Sequence, residues 1–139
     1  MTGQQPADEP TFTEEELAFL HTVIDLARQG ETEQLLGLVD QGIPVNLTDQ
    51  KGDSLLILAS YHGHNALAEG LVARGADVNR INARSQTAIT CAVFRQNVEL
   101  VRFLLAHGAD PLLGEVNALA TTEMFGLPDL KAIITEHLR

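Results

Sequence analysis

Two histidines one residue apart, His62-Gly63-His64, are the first side chains that could do chemistry, because imidazoles this close in sequence can chelate zinc or copper. The glycine between them is expected to send the two rings in different directions, and a plain turn role is the competing reading. Tyr61 and His62 next to Arg95 could instead grip a haem, whose iron accepts Tyr or His and whose propionates favour Arg. The one cysteine, Cys91, lies in an apolar helical run where a thiol is inert. A single cysteine also cannot form an internal disulfide and is too few for a structural zinc site, which suits a reducing compartment and a cytoplasmic protein. No Ser, His and acid arrangement carries a motif around it, and no glycine-rich phosphate loop follows a strand. The reading is of a protein that is not an enzyme and holds no cofactor or metal.

The elements that position these residues repeat along the chain. Gly42, Gly75 and Gly108 are evenly spaced, and each closes an apolar helical run. The period is constant, at about 33 residues. The runs align as Glu33 to Val39, Ala66 to Val72 and Glu99 to Leu105. After each glycine comes a turn rich in Asp, Asn and Pro: Ile43-Pro44-Val45-Asn46, Ala76-Asp77-Val78-Asn79 and Ala109-Asp110-Pro111-Leu112. Glycine there supplies the left-handed residue that ends a helix. Ahead of each outer helix lies a shorter helix rich in small residues, Ser54 to His62 and then Thr87 to Arg95. Leu55 to Ala59 is apolar on every side, which means burial between layers.

Gly52, Ser54-Leu55-Leu56, Ala59, Gly63-His64 and Gly75-Ala76-Asp77-Val78-Asn79 together resemble an ankyrin repeat. The resemblance implies an all-α solenoid of about four helix-turn-helix repeats joined by short hairpin loops, at about 14–48, 49–81, 82–113 and 114–139. It departs from the family in lacking the proline and histidine of the usual Thr-Pro-Leu-His, which become Ser54-Leu55-Leu56-Ile57 and Thr87-Ala88-Ile89-Thr90. In the third copy the turn glycine and histidine become Gln96-Asn97, where Asn is expected to tolerate the turn. The fourth copy aligns only at a shorter step, matching Gln96 to Gly126 and Leu100 to Leu130. Its hairpin is therefore short, as suits a terminal cap with nothing stacked beyond it.

At the other end, Thr13 as cap and Glu16 as reciprocal acceptor predict a helix from near Glu14, with Phe12 stapled against Leu17. That helix should end at Gly30 and bury Leu17, Leu20, Val23 and Leu26. Gly37, Gly70 and Phe103 are equivalent in register, so the Phe103 ring is expected to fill the notch left by Gly70. Residues 1–11 read as a disordered acidic tail, with the repeat domain at 12–139.

The resemblance further implies that a partner contacts the hairpin tips and the open face at the end of each inner helix. Carried over by position, that surface comprises Arg28 and Gln29, then Gln50, Lys51, Asp53, Tyr61 and His62. It continues through Ala83, Arg84, Gln86, Phe94 and Arg95 to Met124 and Phe125. Half of the six aromatic residues fall in this strip beside three arginines, the composition that binding hot spots favour. The expected function is a protein-binding scaffold or adaptor, acting as a monomer on a segment that carries apolar and acidic groups. Some bacterial ankyrin proteins are thought to assist haem enzymes such as catalase, and an accessory protein handling haem or metal is the alternative.

The charge distribution narrows the partners. Of the formal net charge of −10, residues 1 to 50 hold ten acids against the single base Arg28, while the rest is almost balanced. Such a field repels phosphate backbones and anionic lipid, which excludes nucleic acid and membrane surfaces as natural partners. No stretch approaches the ~18 apolar residues of a membrane span.

Overall fold

The computed structural model describes residues 12–139, so the expected tail at 1–11 lies outside the described residues. Among these described residues eight α-helices follow one another: α1 Glu14–Gln29, α2 Thr32–Asp40, α3 Leu55–Tyr61, α4 Asn65–Ala73, α5 Ala88–Phe94, α6 Val98–Ala106, α7 Ala118–Met124 and α8 Pro128–His137. They form two layers, with α1, α3, α5 and α7 stacked side by side and α2, α4, α6 and α8 stacked behind them. Among the described residues there is no strand, only an isolated bridge between Thr48 and Ser54 at the base of a hairpin. This is the helix-turn-helix solenoid that the constant period predicts.

Side-chain caps start the inner helices where proline is missing. The Ser54 hydroxyl accepts from the Ile57 N–H, the Thr87 hydroxyl from the Thr90 N–H, and the Asn117 side chain from the Ala120 N–H. Each cap satisfies an orphan donor of the first turn and is worth about 1 kcal/mol against alanine. From Leu55 to Ser60 every residue of α3 is buried, and from Ala88 to Val93 every residue of α5. Seven-residue helices of this kind are too short to persist alone, so contact with neighbouring layers maintains them. The step between the first residues of α5 and α7, Ala88 to Ala118, is shorter than the step from Leu55 to Ala88. The last repeat is thus shortened as the sequence alignment expects.

The capping box of α1 forms as expected, with Glu16 N–H donating to Thr13 Oγ1 at 3.0 Å and Thr13 N–H to Glu16 Oε1 at 2.8 Å. The buried face of α1 differs from expectation. It consists of Val23, Ile24, Leu26 and Ala27, whereas Leu17 is exposed and Leu20 only partly covered. The cause is length: α1 has 16 residues and α3 has seven, so the first turns of α1 run past the layer they would pack on.

Two further expectations change. The space beside Gly70 is filled by the Leu36 side chain of the preceding outer helix and not by Phe103. This contact is offset by one residue from the sequence register, in which Gly37 and not Leu36 is the equivalent of Gly70. The Phe103 ring packs instead on His107, with centroids 4.1 Å apart. In the third turn the left-handed residue is Gln96 at φ 58°, while Asn97 caps α6 by accepting from the Leu100 N–H.

Candidate functional site

The three inner helices α3, α5 and α7 end side by side, and the residues that close them form one strip. Tyr61, Phe94 and Met124 are the last residues of these helices, and His62, Arg95 and Phe125 are their caps. Fixed spacing therefore converts a sequence column into a surface column. The Tyr61 and Phe94 rings lie nearly parallel at 6.5 Å between centroids, and Phe94 meets Phe125 edge-on at 5.6 Å. His62 packs edge-on against Tyr61 at 5.0 Å, and the Arg95 guanidinium stands 5.6 Å from the Tyr61 ring centre. The rings keep much of their surface in solvent: Tyr61 is 42% exposed, Phe94 47%, Phe125 54% and Met124 65%. Phe94 and Phe125 are thus not core residues.

Two hairpins flank the strip and are built alike. The Asp49 Oδ1 accepts from the N–H groups of Lys51 and Asp53, both at 2.9 Å, and one repeat later Asn82 Oδ1 accepts from those of Arg84 and Gln86, also at 2.9 Å. The turns carry Lys51 and Arg84, both exposed and both bordering the space between the hairpins. The hairpins touch through their backbones, Ala83 N–H donating to the Lys51 carbonyl at 2.9 Å. Gly52 is required at this contact: its φ is 79°, and a Cβ there would lie 3.1 Å from the Ala83 backbone nitrogen.

Of the residues expected on the partner-facing surface, the structure brings Tyr61, His62, Phe94, Arg95 and Phe125 into mutual contact, with Met124 at the same edge. Arg28, Gln29, Gln50, Lys51, Ala83 and Arg84 are exposed around them. Asp53 is a correction. It is buried at 7% exposure rather than presented on the surface, and its carboxylate accepts a 2.7 Å hydrogen bond from Asn82 Nδ2, which ties the two hairpins together. Gln86 is half-buried, and its Oε1 accepts from Asn82 as well. Asp49 and Asn82 were not singled out in the sequence. Their signal is an Asx residue at the same place in two successive repeats.

Arg28 is held by Asp25 at 2.6 Å and approaches Asp49 at 3.7 Å. Lys51, Arg84 and Arg95 have no carboxylate partner among the described residues. The site is therefore locally cationic within an acidic molecule. Desolvation lowers the pKa of His62, and the neighbouring charges of His64, Arg95 and Arg28 lower it further.

The two histidine rings do not diverge. They lie nearly parallel with centroids 6.1 Å apart, because His64 is turned back onto the end of α1, where its Nε2 donates to the Arg28 carbonyl at 2.7 Å. Its other ring edge rests on Gly30, so this imidazole ties the second repeat to the first. No group of three or more His, Cys, Asp or Glu side chains among the described residues could hold a metal ion. Burial pushes the Cys91 thiol up to about 12, which leaves it without nucleophilic thiolate at neutral pH. No helix among the described residues is long and apolar enough to cross a membrane.

Comparison with known proteins agrees with the helix pairs. A family model described as ankyrin repeats in three copies matches residues 23–114. A curated Pseudomonas aeruginosa protein named for its ankyrin repeats, PA3287, is 54% identical over 55 residues, which are 40% of this chain and 32% of that relative. The chain thus matches about a third of that relative's length. With most of its residues covered by that family model, and with paired helices stacked at its period, the chain belongs to the ankyrin repeat family.

Proposed function

We propose that the strip from His62 to Phe125 is a binding surface for a protein segment carrying apolar and acidic groups, and that the chain acts as a non-enzymatic adaptor or inhibitor. Ankyrin repeats are general protein-protein interaction modules. The observation that carries the reading is the contiguous series of half-exposed rings, Tyr61, Phe94 and Phe125, set on rigid helix ends. Clustered exposed apolar surface of this kind marks interaction sites, and aromatic side chains with arginine at the centre supply most of the energy there. Ring stacking fixes the side chains before a partner arrives, which lowers the ordering cost of association. Lys51, Arg84 and Arg95 add charge complementarity for an acidic group, which raises the association rate and selects against basic segments.

Affinity capture from the native cell with the wild type and a Tyr61→Ala/Arg95→Ala variant tests this reading. The variant is expected to lose the proteins that the wild type retains. Identical sets of retained proteins would remove this face as the binding site.

A further inference from the structure

Between the two hairpins and the ends of α1 and α3 lies a recess of about 170 Å³, bordered by Arg28, Lys51, Arg84, Tyr61 and His62. That is well below the roughly 300 Å³ at which sites for drug-sized ligands begin, but it has room for one small polar group. The two carboxylates inside it already have partners. Asp49 accepts from its own turn and lies near Arg28, and Asp53 accepts from Asn82. Lys51 and Arg84 border the recess, and neither forms an ion pair with a carboxylate among the described residues. The opposite end of the strip is different in kind. Met124 and Phe125 are the most exposed of its apolar members, and the nearby Lys131 is paired with Glu123 at 3.2 Å.

We propose that this recess takes the carboxylate of an Asp or Glu side chain of the bound segment, and that the segment consequently lies in one orientation. Its acidic residue sits at the hairpin bases, and its apolar residue sits over Phe94, Met124 and Phe125. The inference rests on the binding reading above and adds its polarity. An extended chain advances about 3.3 Å per residue, so different residues of the segment meet the recess and the rings beyond Tyr61, the acidic one at one end and the apolar one at the other. Charge complementarity selects the acid, since Lys51 and Arg84 attract a carboxylate and repel a basic side chain.

The test is selection from a library of short random peptides displayed on phage, run against the wild type, Lys51→Glu/Arg84→Glu and Tyr61→Ala/Phe94→Ala. All substituted side chains are exposed or half-exposed, and thermal melts confirm that each variant is folded. Wild type is expected to enrich peptides with Asp or Glu at a fixed spacing and in a fixed order relative to an aromatic or aliphatic residue. The charge-reversed variant is expected to replace that acid with Lys or Arg, changing the ratio about tenfold, while keeping the apolar preference. An unchanged acidic preference in the charge-reversed variant overturns the proposed polarity. If the ring variant still loses the peptides in that case, the binding surface stands. If the ring variant selects the same peptides as wild type, the binding reading and the polarity fall together.

Discussion

Asn82 makes three side-chain hydrogen bonds at 2.7 to 2.9 Å, one of them to the buried Asp53 carboxylate. Removing a partner from a buried charge leaves its desolvation uncompensated, so Asn82→Ala is expected to lower stability by about 2 to 3 kcal/mol, read by urea denaturation. A loss under about 0.5 kcal/mol, the ordinary range for a surface substitution, would show that the hairpins do not depend on it. At His62 the expectation concerns pH. Its folded pKa lies below the ordinary 6.5, because of desolvation and then the charges of His64, Arg95 and Arg28. Above 6.5 both folded and unfolded forms are neutral and the stability is complete. As pH falls from 6.5 through the lower folded value, the unfolded chain takes up the proton first and stability drops. Wild type should therefore lose more stability than His62→Gln between about pH 7.5 and pH 5. Equal losses in the two proteins would remove His62 from this balance.

The helix-to-helix turns differ in how well each residue suits its backbone. Gln96 holds φ 58° where Gly63 holds φ 78° one repeat earlier. A left-handed residue with a Cβ costs roughly 1 to 2 kcal/mol, and glycine gives part of that back through its looser unfolded chain. Gln96→Gly is therefore expected to raise the urea midpoint, by about 0.5 to 1 kcal/mol of stability. A lower midpoint would mean that the glutamine side chain holds the turn. Such detail also marks how far the sequence could be read. Periodicity, in the even spacing of Gly42, Gly75 and Gly108 and the shorter step from Gln96 to Gly126, placed the helix pairs and the short fourth repeat, and the resemblance to ankyrin repeats supplied the column of residues that ends the inner helices. Periodicity could do so because repeated layers bury the same positions each time. The filling of the Gly70 notch by Leu36, the exposure of Leu17 and the burial of Asp53 escaped it. Each depends on a one-residue offset, a helix length or a side-chain partner across repeats, and none of these leaves a periodic mark. The strip itself was legible as a list of positions, while its stacking and the role of Asn82 were not.

At the scale of the whole molecule, each repeat buries its apolar side only against its neighbours, so the stack is quasi-linear and its inner-helix ends form a continuous face. The net charge of −10 surrounds a strip whose own cations Lys51, Arg84 and Arg95 are uncommitted to any carboxylate among the described residues. On the binding mode proposed above, a segment with one acid and one apolar side chain meets attraction at one end of the strip and desolvation at the other. The most direct measurement is an NMR titration of the labelled chain with a captured or selected segment, following amide and side-chain shifts residue by residue. The largest changes should fall on Tyr61, His62, Phe94, Arg95 and Phe125, with α2, α4 and α6 almost unmoved. Changes concentrated on those outer helices, with the strip silent, would contradict the account.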